Sequence, residues 1–208
     1  LRCLVGSEMC IRDSLNTGGM GAVSPVDFAD KEFMKKVEDS IIKRTVNGIK
    51  KEKLDYKGFI FAGLMNVNGE PYVIEYNVRM GDPETQVVIP RIKNDLLNVF
   101  IKCLDEKINE VELDIENNFT TTVILAADGY PETYKKGDDI RNLEEFSNSK
   151  IFHAGTKKEN NRILSNGGRV IACTGYGESL EDALKNSYKL ADNISWDNKY
   201  FRKDIGED

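Results

Sequence analysis

Apolar side chains, with one threonine among them, recur with helical spacing near the start of the chain. Between residues 31 and 51 they return at every fourth position: Phe33, Val37, Ile41, Thr45 and Ile49. This period predicts a helix with one buried stripe, and Asp30 immediately before it has the side chain of an N-cap. The lysines on the other faces indicate a solvated surface.

Two strands and a second helix are predicted next. Residues 58–67 form an apolar run, Asn68-Gly69 is the strongest short signal for a hairpin turn, and residues 72–79 alternate as the returning strand. After the turn Gly81-Asp82-Pro83-Glu84, residues 95–104 show helical spacing again. The predicted buried face of this helix consists of Leu96, Leu97, Phe100, Ile101 and Leu104.

The character of the sequence changes near residue 108. Acidic and asparagine-rich residues indicate a connection, after which strands are predicted at 121–127, 151–156 and 169–174. A helix is predicted from Ser179, which with Asp182 resembles a capping box. We therefore predict an α+β fold in two parts. A largely antiparallel sheet with helices covers residues 15–107, and a smaller strand-rich domain covers residues 108–208.

Residues 1–14 (LRCLVGSEMCIRDS) differ from the rest of the chain. They hold two of the four cysteines, show no clear period and lack the features of a signal peptide. We interpret them as a non-native or irregular segment joined to a genuine sequence that begins near Asn16. The alternative is an ordinary strand entering the fold, in which case Leu4, Val5 and Ile11 would pack on the core.

The composition and net charge of the chain argue against two classes of binding partner, membranes and nucleic acid. No apolar run approaches the roughly 20 residues that cross a bilayer, and the formal net charge of −6 provides no general attraction for nucleic acid. We therefore expect small-molecule substrates, with no nucleic acid and no membrane among the partners. The four cysteines lack the spacing of a zinc site or a disulfide scaffold, so Cys103 and Cys173 are interpreted as core residues and a reducing, cytoplasmic location is expected.

The strand predicted at residues 72–79 contains candidate ligands for a metal ion and a phosphate group. Alternation along a strand puts Glu75, Asn77 and Arg79 on one face. The intervening side chains would fill a core: Ile74, Tyr76 and Val78. Carboxylate and amide oxygens suit Mg²⁺, and a guanidinium beside them can hold a phosphate or acyl-phosphate oxygen. Such a row fits phosphoryl transfer, and a solvent-exposed sheet face is the alternative explanation.

A glycine-rich loop, Asn16-Thr17-Gly18-Gly19-Met20-Gly21-Ala22, lies before the first predicted helix. Glycines let the backbone approach a ligand closely and point N–H groups at an anion. The loop is not a Walker A loop, because no Gly-Lys-Ser/Thr comes after it. A ligand loop and a plain tight turn both fit this segment.

Together these motifs resemble the phosphoribosylamine–glycine ligase family of the ATP-grasp superfamily. The resemblance rests on N-T-G-G-M-G-A-x-S-P, G-F-I-F-A-G-L-M and V-I-E-Y-N-V-R-M-G-D-P-E-T-Q, and later on F-H-A-G-T, N-G-G-R-V and F-R-K-D-I-G. It extends from about Asn16 to Gly206. The E-x-N-x-R element is shared across the superfamily, whereas M-G-D-P-E-T-Q combined with F-H-A-G-T is far more specific to the family.

The resemblance implies the C-terminal portion of a ligase that uses ATP to join glycine to 5-phosphoribosylamine through glycyl phosphate, in purine synthesis. At matching positions it implies that Glu75 and Asn77 bind Mg²⁺ or Mn²⁺ and that Arg79 acts on the phosphates or the acyl phosphate. It further implies that the glycine-rich loop and the turn after β-strand residues 72–79 shape the substrate site: Gly18, Gly19, Gly21, Asp82, Pro83 and Glu84.

The resemblance also implies a missing part. Members of the family begin with a further domain and with the segments that bind adenine, so we expect this chain to require the N-terminal half of the same enzyme and to be inactive alone. Two alternatives stay open, namely another ATP-grasp carboxylate–amine ligase and a non-catalytic module. His153, the single histidine, fits a structural hydrogen-bonding role better than a catalytic one.

Overall fold

The structure is a computed structural model that describes Gly6–Ser7 and residues 17–207. In chain order its strands are β1 Gly6–Ser7, β2 Gly21–Ser24, β3 Phe61–Val67, β4 Glu70–Asn77, β5 Phe119–Ala126, β6 Asp139–Ile140, β7 Ser149–His153, β8 Thr156–Glu159, β9 Arg162–Ser165 and β10 Arg169–Gly177. Its α-helices are α1 Lys31–Val37, α2 Lys43–Lys51, α3 Thr85–Val88, α4 Leu96–Leu104 and α5 Leu180–Asn193. A π-helical segment, Glu38–Ile42, joins α1 to α2.

Contacts group the described residues into two compact units. The first unit consists of Val26–Gly81 and Ile92–Ile115. The second consists of residues 6–7 and 17–25, Asp82–Arg91 and residues 116–207. The glycine-rich loop and the Asp82-Pro83-Glu84 turn therefore belong to the second unit, and the hairpin β3–β4 to the first.

The domain boundaries 1–14, 15–107 and 108–208 remain predictions from sequence. The interpretation of residues 1–14 depends on Leu4, Val5 and Ile11, which lie outside the described residues. It therefore also stays a prediction.

The first unit opens with the long helical stretch that the apolar period predicts. Asp30 accepts a hydrogen bond from Phe33 N at 2.8 Å, as expected of an N-cap. Phe33, Val37 and Ile41 are buried, so the predicted stripe is confirmed over the first turns. The π-helical segment interrupts the α-helix, and the stripe continues through it because Ile41 lies within it.

A two-residue turn joins β3 to β4. Asn68 and Gly69 both have positive φ, 53° and 81°, which is the conformation that a type I′ hairpin turn requires at both positions. Gly69 N also donates to Asn66 Oδ1 at 2.9 Å. The predicted hairpin is confirmed, and its strands are antiparallel.

Helix α4 has the predicted bounds but lacks the predicted buried face. Asp95 caps it by accepting a hydrogen bond from Asn98 N at 3.2 Å. None of its residues is buried, and Leu97 and Leu104 are 66% and 65% exposed. Helical spacing of apolar residues indicates that a helix has an apolar face, but that face is buried only where another element covers it. The prediction is therefore wrong for the whole set: Leu96, Leu97, Phe100, Ile101 and Leu104.

The second unit is built on a five-stranded antiparallel sheet with the strand order β1-β2-β5-β10-β7. The central pair β5–β10 runs from Phe119 opposite Gly177 to Ala126 opposite Arg169. Two buried polar side chains of this pair bond to each other across the strands, since Thr174 Oγ1 donates to Thr122 Oγ1 at 3.0 Å. The sheet therefore provides a rigid base for the residues at its ends.

Helix α5 packs on β5 and β10 and closes the main core. Ser179 accepts a hydrogen bond from Asp182 N at 3.1 Å, which confirms the predicted cap. The core of fully buried side chains includes Val123, Leu125, Ile171, Leu190, Ile194 and Ile205. A three-stranded sheet with the order β6-β9-β8 completes the unit.

The predicted fold class is confirmed. Helices accompany sheets whose strand pairings are all antiparallel in the part of the chain that the structure describes. A search of the same residues finds no helix with the length and apolar character needed to span a bilayer.

Candidate functional site

Glu75 and Asn77 lie two residues apart on β4, in the first unit, and their side chains are in contact. Asn77 Nδ2 donates to Glu75 Oε1 at 2.9 Å, so the two side chains share one face, as strand alternation predicts. Gly63 lies opposite Glu75 on β3, and a β-carbon there would be 3.1 Å from Glu75 Cγ. The glycine therefore leaves room for the Glu75 side chain, which is exposed.

A β-bulge interrupts the alternation just before this pair. The register shifts between Gly63 and Leu64, which leaves Ile74 without a partner on β3. Ile74, Tyr76 and Val78 are 51%, 49% and 73% exposed. The prediction that these three side chains fill a core is wrong, because the described residues of the first unit do not cover them.

Arg79 does not lie on the strand with the other two residues. Strand β4 ends at Asn77, because β3 begins directly opposite it at Phe61. Arg79 comes next in a bend, where its Nη1 donates to Met80 O at 3.0 Å. The prediction of three side chains on one strand face therefore holds for Glu75 and Asn77 and is wrong for Arg79.

The Glu75–Asn77 pair has the chemistry of a partial site for a hard cation. Mg²⁺ accepts carboxylate and amide oxygens, and it commonly takes only one or two protein ligands while phosphates and water complete its shell. Asn77 directs its amide nitrogen at Glu75, which leaves its carbonyl oxygen as a ligand. Within residues 6–7 and 17–207, no group of three or more His, Cys, Asp and Glu residues is suited to a metal. The residues thus fit a cation that is shared with phosphate groups.

The glycine-rich loop runs into the buried strand β2 of the second unit. Gly18 N donates to the Tyr130 hydroxyl at 2.9 Å. A β-carbon at Gly19 would lie 2.5 Å from Pro83 Cδ, closer than two carbons can approach, so the loop packs directly on the turn. Gly21 is the first residue of β2 and is buried. Close packing thus accounts for glycine at positions 19 and 21, independently of any ligand.

The Asp82-Pro83-Glu84 turn leads into α3. Both oxygens of the Asp82 carboxylate are engaged: Oδ1 accepts from Gln86 Nε2 at 2.8 Å, and Oδ2 accepts from Arg169 Nη2 at 2.8 Å. Pro83 and Glu84 are buried. Asp82 therefore anchors the turn, and its contacts favour a role in shaping the site over one as a metal ligand.

Arg169 is a residue of this region that the sequence analysis missed. Besides its ion pair with Asp82, its Nη1 donates to Gly19 O at 3.0 Å and to Asp82 O at 2.7 Å. The signal that could have identified it is its place as the arginine of the N-G-G-R-V motif. Gly63 was missed in the same way, inside G-F-I-F-A-G-L-M.

His153 and Cys173 have structural surroundings. His153 is exposed at the end of β7, with its Nδ1 3.1 Å from Thr156 Oγ1. Cys173 is fully buried in β10, and burial raises the pKa of its thiol to about 12, so the thiol stays protonated and unreactive. Cys103 is half-buried. The hydrogen bond of His153 and the burial of Cys173 agree with the structural roles predicted for them.

Two family models match the chain. The model described as "Phosphoribosylglycinamide synthetase, ATP-grasp (A) domain" matches residues 11–85. The model described as "Phosphoribosylglycinamide synthetase, C domain" matches residues 120–208. The first range contains the glycine-rich loop and the Glu75–Asn77 pair, and the second contains Arg169.

The chain is also similar to curated proteins over most of its length. The chain is 45% identical over 196 residues to the phosphoribosylamine–glycine ligase of Fusobacterium nucleatum, covering 92% of this chain and 46% of the relative. It is 44% identical over 194 residues to the bifunctional purine biosynthetic protein PUR2,5 of Pichia angusta, covering 92% of this chain and 25% of that protein. The chain therefore spans about half the length of the single-function relatives it matches.

Solved structures show the same similarity. The crystal structure of the phosphoribosylamine–glycine ligase from Thermotoga maritima matches with a TM-score of 0.81 at 34% identity, over 96% of this chain and 50% of that one. The biotin carboxylase domain of the 2-oxoglutarate carboxylase from Hydrogenobacter thermophilus matches with a TM-score of 0.65 at 13% identity, over 90% of this chain and 43% of that one. At that identity the second match shows a shared fold alone.

Proposed function

Because the chain belongs to the phosphoribosylglycinamide synthetase family, we propose that it is the metal-binding half of an ATP-dependent ligase of purine synthesis. The reaction joins glycine to 5-phosphoribosylamine through glycyl phosphate and yields glycinamide ribonucleotide, ADP and phosphate. The observation that carries this proposal is the contact between the exposed Glu75 and the half-buried Asn77 on one face of β4, within the family's motif. A cytoplasmic location is part of the proposal.

Glu75 and Asn77 would hold Mg²⁺ or Mn²⁺ together with the phosphates of ATP. A cation bound there supplies positive charge that offsets the charge of the phosphates during transfer. The Glu75 carboxylate contributes the charge of the site and the Asn77 amide contributes a neutral oxygen. Their mutual hydrogen bond holds the two groups in a fixed relation before the cation arrives.

Arg79 would bind the phosphate or acyl-phosphate oxygens. Its side chain is exposed beyond the end of β4, and its bond to Met80 O uses part of a guanidinium that carries several further N–H donors. A planar fork of donors matches the oxygens of a phosphate. A group of this kind raises the rate mainly by stabilising the charge that develops on the phosphate oxygens in the transition state.

The glycine-rich loop and the Asp82-Pro83-Glu84 turn, both in the second unit, would shape a surface that binds the substrates. Gly18 and Gly19 expose backbone that can approach a ligand, and their contacts with Tyr130 and Pro83 hold the loop in place. In this proposal the two segments orient the substrates and exclude water, and they do not transfer protons.

The relatives contain a further half, and we propose that it covers the bare apolar surface of the first unit. Five apolar side chains of this unit are each 49% exposed or more: Leu97 and Leu104 on α4, Ile74 and Tyr76 on β4, and Val78 just after β4. Tyr76 and Val78 also line an open apolar cavity of about 420 Å³. Large apolar side chains exposed in this number indicate an interaction site. The chain alone is then expected to be inactive.

The test joins residues 17–208 in frame behind the upstream half of the Fusobacterium nucleatum relative, which is 45% identical in the shared part. The joined protein is incubated with ATP, glycine, freshly generated phosphoribosylamine and Mg²⁺, and ADP and glycinamide ribonucleotide are measured. We expect equal amounts of both products, dependent on all three substrates. The 208-residue chain alone is expected to form neither.

Two other results would favour the alternatives. ADP formation without glycinamide ribonucleotide would favour a different carboxylate–amine ligase of the superfamily. A folded joined protein that forms no ADP with any substrate would favour a non-catalytic module. Circular dichroism and a cooperative unfolding transition establish that the joined protein is folded.

A further inference from the structure

Arg169 contacts two segments that are far from it in sequence and lie in the same unit. Its Nη1 donates to Gly19 O at 3.0 Å and to Asp82 O at 2.7 Å, and its Nη2 donates to Asp82 Oδ2 at 2.8 Å. A β-carbon at Gly18 would lie 2.9 Å from Arg169 Cζ. The guanidinium is therefore seated against the glycine-rich loop and bonded to the turn at the same time.

The backbone that carries this guanidinium is fixed. Arg169 is the first residue of β10, opposite Ala126 on β5, and its carbonyl accepts a hydrogen bond from Gly155 N at 3.0 Å. The neighbouring Val170 and Ile171 are fully buried. The side chain thus extends from the rigid sheet toward two segments that have little regular structure of their own.

Charge alone does not account for an arginine at this position. The side chain of Arg169 is 21% exposed and that of its partner Asp82 is 50% exposed, and an ion pair with a partner this accessible to solvent contributes little to stability. The distinctive feature is that one planar group meets two carbonyl oxygens and a carboxylate. A lysine ammonium cannot reproduce that planar arrangement of donors.

We propose that Arg169 is a positioning residue that holds residues 17–20 of the glycine-rich loop and the turn (residues 82–84) in one arrangement before substrates bind. Gly19 packs on Pro83, and Arg169 adds hydrogen bonds to Gly19 O and Asp82 O. The inference rests on the proposed function in one respect, namely that these two segments shape the substrate site.

The first arm of the test uses the full 208-residue chain and does not depend on activity. Arg169→Gln is expected to accelerate amide hydrogen exchange at Gly18, Gly19 and Glu84 at least tenfold, while exchange in the middle of β5 and β10 stays unchanged. Arg169→Lys is expected to give a smaller increase. The matched control is Arg162→Gln, an exposed arginine on β9 in the same unit, which should leave the exchange at Gly18 and Gly19 unchanged.

The second arm uses the joined ligase of residues 17–208 and the relative's upstream half. Arg169→Gln is expected to lower kcat at least tenfold with the KM for ATP changed less than twofold, and Arg169→Lys is expected to restore part of kcat. Faster loop exchange with unchanged kcat would overturn the positioning role, and so would unchanged loop exchange. An unmutated joined protein without activity would instead refute the proposed function, and the exchange arm would still decide whether Arg169 holds the loop.

Discussion

The side chain of Ile205 fills the space beside Gly21 that a β-carbon would need. Three atoms of Ile205 lie 2.6, 2.7 and 2.8 Å from that position, and Ile205 is 1% exposed. The contact joins the start of β2 to the last described part of the chain, within the second unit. Glycine at position 21 is thus required by packing in the core.

Gly21→Ala is expected to destabilise the second unit. The added methyl group displaces Ile205 from a buried site, and overpacking of this kind costs about 1–3 kcal/mol. The free energy of unfolding measured with urea should fall by that amount. Gly48→Ala is the control, because its β-carbon would meet nothing within 4 Å and alanine in a helix is favoured over glycine by about 1 kcal/mol. Equal stability of Gly21→Ala and the unmutated chain would contradict the packing.

Glu75→Gln is expected to weaken the binding of Mn²⁺–ATP by the joined ligase at least tenfold. The change keeps the shape of the side chain and removes the charge that attracts the cation. Binding can be followed by electron paramagnetic resonance of Mn²⁺. Glu70→Gln provides the control on the same strand, since Glu70 pairs with Lys36 at the surface. A similar loss of affinity in both variants would show that Glu75 has no specific part in the site.

Arg79→Lys is expected to lower the turnover of the joined ligase more than tenfold while the KM for ATP changes little. Lysine keeps the charge and loses the planar fork that meets phosphate oxygens. Steady-state kinetics with ATP varied at saturating glycine separate the two constants. Arg44→Lys on α2 serves as the matched control at an exposed position. Normal turnover in Arg79→Lys would remove Arg79 from the proposed mechanism.

The Cys173 thiol is expected to make stability depend on pH in the alkaline range. Burial raises the pKa of this thiol from its ordinary value of 9.0 to about 12, so the unfolded chain releases the proton first as the pH rises. The contribution of the Cys173 thiol to the free energy of unfolding is therefore complete below about pH 9. It is lost between about pH 9 and pH 12, and the free energy of unfolding falls by at most about 1.4 kcal/mol per pH unit from this cause.

The measurement compares the free energy of unfolding of the unmutated chain with that of Cys173→Ala between about pH 8 and pH 10.5, a range that brackets the ordinary pKa of a thiol. The difference between them should shrink as the pH rises above 9, because only the unmutated chain loses the thiol contribution. Tyrosines and lysines titrate in both proteins and cancel in the difference. A difference that stays constant over this range would mean that the thiol is not shielded by burial.

We expect the 208-residue chain to self-associate through its exposed apolar side chains, and we expect replacement of Leu97 and Leu104 by glutamine to reduce this association without loss of stability. Both side chains are about two-thirds exposed on α4, so their removal costs less than about 0.5 kcal/mol and interrupts an apolar surface. Sedimentation velocity measures the association. Leu190→Gln, at a fully buried position of α5, should instead lower stability by about 2 kcal/mol or more. Undiminished association of the double variant would mean that this surface is not the one that associates.

Local structure and the identity of the motifs were determined by the sequence itself. Asp30, Asp95 and Ser179 cap the helices that begin directly after them, and Asn68-Gly69 makes the hairpin turn. Each of these features depends on groups within about four residues of one another, where backbone geometry decides the outcome. The contact between Glu75 and Asn77 belongs to the same class, because strand alternation alone places them together.

Tertiary structure alone decided where each strand stops and which faces are covered. Arg79 does not share the strand face of Glu75 and Asn77, because the partner strand begins opposite Asn77. The apolar faces of α4 and β4 are exposed, because burial depends on neighbouring elements and not on the spacing of apolar residues. Arg169 meets Gly19 and Asp82 across 150 and 87 residues of sequence. A periodic pattern in the sequence does not predict contacts between residues so far apart, because these contacts form only when the sheet brings separate segments together.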